Sequence, residues 1–149
     1  DKGSNDGLKV NMNVLAGDGL VGIVTEVNKS YARVRSIIDD ESSVTGSFLK
    51  TSDMCFVNGN LKLINKGMID ISGIPADAEI KNGYEVVTSP VSDKYLPGIL
   101  IGYARDIETD SSNITQSAHL TPAADFSGLD MVLVITEVKD SGDLEDILN

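Results

Sequence analysis

YEVVTSPVSDKYLPGILIGYAR, residues 84–105, holds two apolar runs with a loop between them. Tyr84 to Thr88 reads as a strand, and Ile99 to Ala104 as a second one interrupted by Gly102. Proline fixes its own φ and cannot donate to a sheet ladder, so Pro90 and Pro97 bracket the loop and not a strand interior. Gly98, directly after Pro97, suits a turn position that needs positive φ. Gly102 inside the second run predicts a bulge or a close backbone approach, as at a barrel corner. The unit is strand–loop–strand, and nothing in it is chemically reactive.

The flanking segments are built the same way. Leu8 to Val14 alternates, with Leu8, Val10, Met12 and Val14 on one face and Lys9, Asn11 and Asn13 on the other, which is the period of a half-buried strand. A glycine-rich turn at Ala16-Gly17-Asp18-Gly19 leads into Leu20 to Val27, where Gly22 fits a strand bending in a barrel wall. Tyr31 to Ile38 alternates and ends in the acidic turn Asp39 to Ser43, and Val44 to Leu49 is a weaker strand. CFVNGNLKLI (Cys55 to Ile64) reads as a hairpin turning at Asn58-Gly59. Met68 to Ile71 is short, residues 72–79 read as a loop, and Asn82-Gly83 makes another turn. Ile114 to Leu120 alternates until Pro122, and Met131 to Val138 is the most apolar strand candidate. About ten short strands with frequent turn signals predict an all-β sandwich or barrels with very little helix.

A chain of 149 residues accommodates one domain or two small ones sharing an interface. With three Phe, four Tyr and no Trp, the core rests on Val, Ile and Leu. The formal charge of −11 repels phosphate backbones and anionic lipid surfaces, which argues against nucleic acid as a partner. Lys29, Arg33 and Arg35 come nearest to a basic cluster, and Asp39, Asp40 and Glu41 follow at once. Residues 1–7 read as a disordered N-terminal linker. Residues 139–149 read as an acidic flexible tail, with a short helix through Leu144, Ile147 and Leu148 as the alternative. No apolar run approaches the ~20 residues of a membrane span, and no signal peptide is evident.

The search for chemistry assigns no catalytic, cofactor or metal residue. His119, the one histidine, falls with Thr115, Ser117 and Thr121 on the polar face of its strand. A serine–histidine–acid arrangement needs partners that no motif singles out. Cys55 is the one cysteine, so no intrachain disulfide can form. Its alternation with Val57 suits a small buried residue. One His and one Cys are too few for an ordinary zinc site. The acidic runs at Asp39-Asp40-Glu41 and Asp106 to Asp110 lack the spacing of a calcium loop. Gly17-Asp18-Gly19 precedes a strand, whereas a phosphate cradle opens a helix.

Four segments in order carry a resemblance: GLVGIVTEV (Gly19 to Val27), SYARVRSIIDDESSV (Ser30 to Val44), GYEVVTSPVSDKYLPGILIGYARDI (Gly83 to Ile107) and TPAADFSGLDMVLVI (Thr121 to Ile135). Together they are similar to the extracytoplasmic β domain of the rod shape-determining MreC family. Pro90, Tyr95-Leu96 and Ala104 depart from the family's usual residues there. The resemblance implies two small β-barrels packed together, distantly similar to trypsin-like barrels without their catalytic residues. The first would span residues 8–55 and the second 56–138, with Met131 to Val138 as an alternative closing strand of the first.

The resemblance also implies a non-enzymatic scaffold of the peptidoglycan-synthesising elongation machinery, on the extracytoplasmic face of the bacterial membrane. A membrane helix would lie upstream of this chain. Implied partners are a second copy, a class B penicillin-binding transpeptidase, RodA, MreD and the MreB system. Tyr95 and Leu96 are the candidate anchors for a partner, because apolar groups on a Pro-fixed loop lose little entropy on binding. In the alternative, both fold back onto the second barrel. Pro97, Gly98, Gly102 and Gly22 carry geometric roles. A barrel hydrolase using His119 and a generic β-barrel binding module are the competing functions.

Overall fold

The computed structural model describes residues 2–127, 133–135 and 138–139. Its strands are β1 (Asn13–Ala16), β2 (Gly19–Val27), β3 (Ala32–Ser36), β4 (Ser43–Phe48), β5 (Met54–Asn58), β6 (Ile69–Pro75), β7 (Glu85–Thr88), β8 (Leu100–Thr109), β9 (Thr115–Pro122) and β10 (Leu133–Val134). The helical content among the described residues is two single 3₁₀ turns, Ser4–Asp6 and Ile64–Lys66. The order β8-β7-β4-β5-β6-β9 closes on itself through β8–β9 pairing, giving a six-stranded barrel. Beside it, β10-β1-β2-β3 forms a smaller sheet, joined to the barrel where Gly19 pairs in parallel with Leu100. The fold is all-β, as the sequence predicts.

Alternation explains several of these elements. β4 turns Val44, Gly46 and Phe48 inward, β5 Cys55 and Val57, and β9 Gln116, Ala118 and Leu120. The barrel core gathers Phe48, Ile69, Ile71, Ile74, Ile101 and Leu120. The small sheet keeps its own core of Met12, Val14, Val21, Val24 and Ala124, and Phe126 packs against both. Gln116 is buried but satisfied, its Nε2 donating to the Pro75 carbonyl at 2.9 Å and the Ala78 carbonyl at 3.0 Å.

Barrel closure depends on Gly102, which sits opposite Val86 on β7 and Pro122 on β9. A Cβ there would lie 2.1 Å from the Thr121 carbonyl oxygen, a contact no side chain can make. Gly22 is placed likewise between β1 and β3, where a Cβ would come within 2.1 Å of the Arg35 carbonyl oxygen.

Several sequence expectations are corrected. A division at residue 55 falls inside the β4–β5 pair, and the barrel runs from Ser43 to Pro122 because β4 takes β7 as its second partner. The segment 8–55 therefore contributes three strands to the small sheet and two, β4 and the start of β5, to the barrel. β10 adds to the small sheet by pairing with β1. Residues 3–7, set aside as linker, fold onto the β2–β3 turn, with Ser4 N–H donating to the Asn28 carbonyl at 2.7 Å. The alternation over residues 8–14 becomes a strand only at Asn13, because Asn11 takes a left-handed conformation (φ 74°). Asn58-Gly59 is no hairpin turn. β5 ends there, and Gly59 packs against the Asp39 carbonyl oxygen, 1.9 Å from where a Cβ would stand. β6 continues to Pro75 through a register shift at left-handed Gly73 (φ 67°), where the sequence suggests a loop. Of the tail, residues 140–149 lie outside the described residues.

Replacing Gly102 with Val forces β8 and β9 apart and should cost about 3 kcal/mol or more. Urea denaturation reads this directly, and an unchanged midpoint would remove Gly102 from its closing role.

Candidate functional site

The loop after β7 is held from inside. Thr88 is fully buried, and its Oγ1 donates to the Leu96 carbonyl at 2.6 Å while accepting the Ile99 N–H at 2.8 Å. Gly98, at φ 78°, donates its N–H to the Thr88 carbonyl at 2.9 Å. Asn13 reaches in from the small sheet. Its Oδ1 accepts the Leu96 N–H at 2.8 Å, and its Nδ2 donates to the Lys94 carbonyl at 3.1 Å. Sequence alternation assigns Asn13 to a polar outer face, whereas it is fully buried. Both halves of its amide are used, which is what burial of such a group requires.

This places the two anchors expected from sequence. Tyr95 is 6% exposed and packs in the barrel core, with its hydroxyl pushed up to about 12 by that burial. It is a core residue and no anchor. Leu96 is half-buried, and Pro97 and Gly98 are exposed at the turn. The strongly exposed apolar side chain of this loop is Val91.

A different surface carries apolar side chains outward. On the β4–β5 hairpin, Met54 and Phe56 alternate with inward Cys55 and Val57, and Leu49 follows β4 at the turn. All three are exposed, Phe56 by 47%. Phe56 lies over Gly73, where a Cβ would come within 2.8 Å of its ring. The alternation within Met54 to Val57 is the sequence signal for this face, and a hairpin reading of Cys55 to Ile64 obscures it.

Among the described residues the titratable groups do not form a catalytic set. His119 Nδ1 contacts Asp106 Oδ2 at 2.9 Å, and Nε2 faces Asp70 Oδ1 at 3.8 Å. In a serine-type arrangement, one ring nitrogen holds the acid and the other the nucleophile. Here a second carboxylate occupies the nucleophile's side. These groups line an open groove of about 350 Å³ with Asn58, Ser72 and Ser117. The hydrogen bond from His119, then the charge of Arg105, holds the Asp106 carboxyl below the usual carboxylate range. Burial pushes the Cys55 thiol up to about 12, so it stays protonated and unreactive near neutrality.

A closed six-strand barrel with a side sheet defines the class of fold, a small all-β barrel protein. Residues 1–136 match the family description "Rod shape-determining protein MreC, barrel core", and the chain belongs to that family. The chain is similar to the cell shape-determining protein MreC of Listeria monocytogenes, 31% identical over 147 residues, which are 98% of this chain and 50% of the relative. The chain thus spans about half the length of that relative. A solved MreC structure from Listeria monocytogenes superposes with a TM-score of 0.81 at 33% identity, covering 90% of this chain and 64% of the other. The MreC chain in a complex with penicillin-binding protein PBP2 from Helicobacter pylori shares the fold, with a TM-score of 0.67 at 22% identity over 85% of this chain and 79% of the other. MreC is a shape-determining structural protein and not an enzyme.

Replacing Asn13 with Ala strands the Leu96 N–H and the Lys94 carbonyl and should cost about 2 kcal/mol, measured by urea denaturation. A loss within error of zero would show that water replaces the amide. Asp106 contributes stability that is present above the ordinary carboxylate pKa and lost as pH falls through its lowered folded value. The melting temperature of wild type should therefore fall more steeply below about pH 4 than that of Asp106→Asn. Parallel acid limbs would contradict the bond to His119.

Proposed function

We propose that this chain is the extracytoplasmic, non-enzymatic scaffold domain of a cell-elongation complex, acting by protein binding and self-association. Family membership carries the cell-shape role. The outward Leu49, Met54 and Phe56 of the β4–β5 hairpin are the observation that supports binding, because a rigid sheet presenting clustered apolar side chains is a usual protein-docking surface. The occupant is the extracytoplasmic part of the class B penicillin-binding transpeptidase. The Helicobacter pylori relative, named in complex with PBP2, supports that choice. RodA, MreD and the MreB system complete the assembly by the family resemblance. The chain's role is to hold the transpeptidase in place, since an all-β platform with a closed barrel keeps its surface geometry fixed and lowers the entropy lost on docking.

Calorimetric titration against the transpeptidase's extracytoplasmic part tests this. A Met54→Ser, Phe56→Ser variant of unchanged melting temperature should bind about tenfold or more weakly, while Leu96→Ala binds as wild type. Loss of binding in Leu96→Ala alone would move the interface to the 89–98 loop, and no heat with wild type would contradict the reading.

A further inference from the structure

β3 is an edge strand, pairing with β2 alone among the described strands. Arg33 and Arg35 stand exposed on one of its faces, two residues and so about 7 Å apart. Arg33 meets Glu26 at 3.4 Å, a solvent-screened pair, and Arg35 has no carboxylate within ion-pair distance among the described residues. The edge belongs to the basic part of an acidic chain. Residues 1–36 hold five Lys and Arg against four Asp and Glu, a net +1, so the remainder carries −12 of the total of −11.

The complementary surface is on the barrel. Asp70 of β6 and Asp106 and Glu108 of β8 line one open groove of about 350 Å³, with β9 between those strands and its His119 between Asp70 and Asp106. Arg105 answers Asp106 at 3.4 Å, and Glu108 meets no cation among the described residues. The acidic run at Asp39-Asp40 is already engaged by its own surroundings, Asp39 Oδ1 accepting the Glu41 N–H and Asp40 Oδ1 the Leu61 N–H, both at 2.9 Å. A guanidinium is a planar fork that takes several carboxylate contacts at once, so a groove with carboxylates on both sides suits arginine better than a turn does. Each surface also excludes its own kind. Two β3 edges paired antiparallel about a two-fold at Val34 would set Arg33 of each copy opposite Arg35 of the other, and two facing grooves would set carboxylate against carboxylate. Edge against groove brings opposite charges together, and that contact is heterologous, so every added copy leaves one edge and one groove free. We propose that the β3 edge of one copy docks Arg33 and Arg35 in the Asp70–Asp106–Glu108 groove of a second copy, building an open head-to-tail array. This rests on the self-association in the proposed function and does not depend on where the transpeptidase binds.

Sedimentation velocity of the chain tests it, over a concentration series at about 0.01 M and about 1 M salt, where the Debye length falls from about 30 Å to about 3 Å. Wild type should assemble beyond dimers at low salt and dissociate at high salt. An edge variant (Arg33→Gln, Arg35→Gln) and a groove variant (Asp70→Asn, Glu108→Gln), each of unchanged melting temperature, should each self-associate about tenfold or more weakly. Mixed in equal amounts they should form dimers and nothing larger, because one intact edge and one intact groove remain per pair. Wild type that stays monomeric overturns the proposal together with the self-association it rests on. Assembly of either variant as in wild type, or a mixture that stays monomeric or grows beyond dimers, overturns the edge-to-groove contact alone.

Discussion

Closure of the barrel rests on a missing side chain. β8 runs between β7 and β9, and at Gly102 β9 approaches so closely that a Cβ would meet the Thr121 carbonyl oxygen at 2.1 Å. Without that approach β8 and β9 could not pair along the stretch from Gly102 to Thr109, and the sheet would stay open with two free edges. Closure also fixes the outer face. With every barrel strand paired on both sides, the β4–β5 hairpin cannot slip register, so Met54 and Phe56 keep their outward positions.

The second constraint is the joint between barrel and small sheet. Covalent continuity alone would let the two move independently, but Asn13 of β1 bonds backbone on both sides of Tyr95, at Lys94 and Leu96. The loop is thus an internal buttress, with Tyr95 driven into the barrel core and Thr88 fastening its far end. A buried amide with all its bonds made acts as a geometric specification, because any other orientation of the small sheet would leave polar groups stranded. The family's role in cell shape fits such a body, whose one imidazole is flanked by two carboxylates.

The sequence made the all-β class and most strand positions legible, because the alternation over β9 coincides with true burial and the apolar runs around the Pro90–Pro97 loop coincide with the buried parts of β7 and β8. It could not show the partition between barrel and side sheet. That depends on β4 choosing β7 across some forty residues of chain, a choice that local pattern does not encode. Asn13 misled for a related reason, since an amide reads as polar whether solvent or backbone satisfies it. Tyr95 misled because a Pro-bracketed loop signals exposure, whereas Ser92 and Asn13 turn this one inward. The apolar outer face is hard to see for another reason: a hairpin reading of Cys55 to Ile64 leaves Met54 out, and exposure of Phe56 on its own does not mark a surface.

The most direct measurement is photo-crosslinking in growing cells, with benzoylphenylalanine in place of Phe56 and, as a control, in place of the still more exposed Ile114. The account predicts an adduct with the class B transpeptidase from position 56 and none from position 114. Adducts from both positions alike, or from position 114 alone, would contradict the β4–β5 hairpin as the surface through which this domain acts.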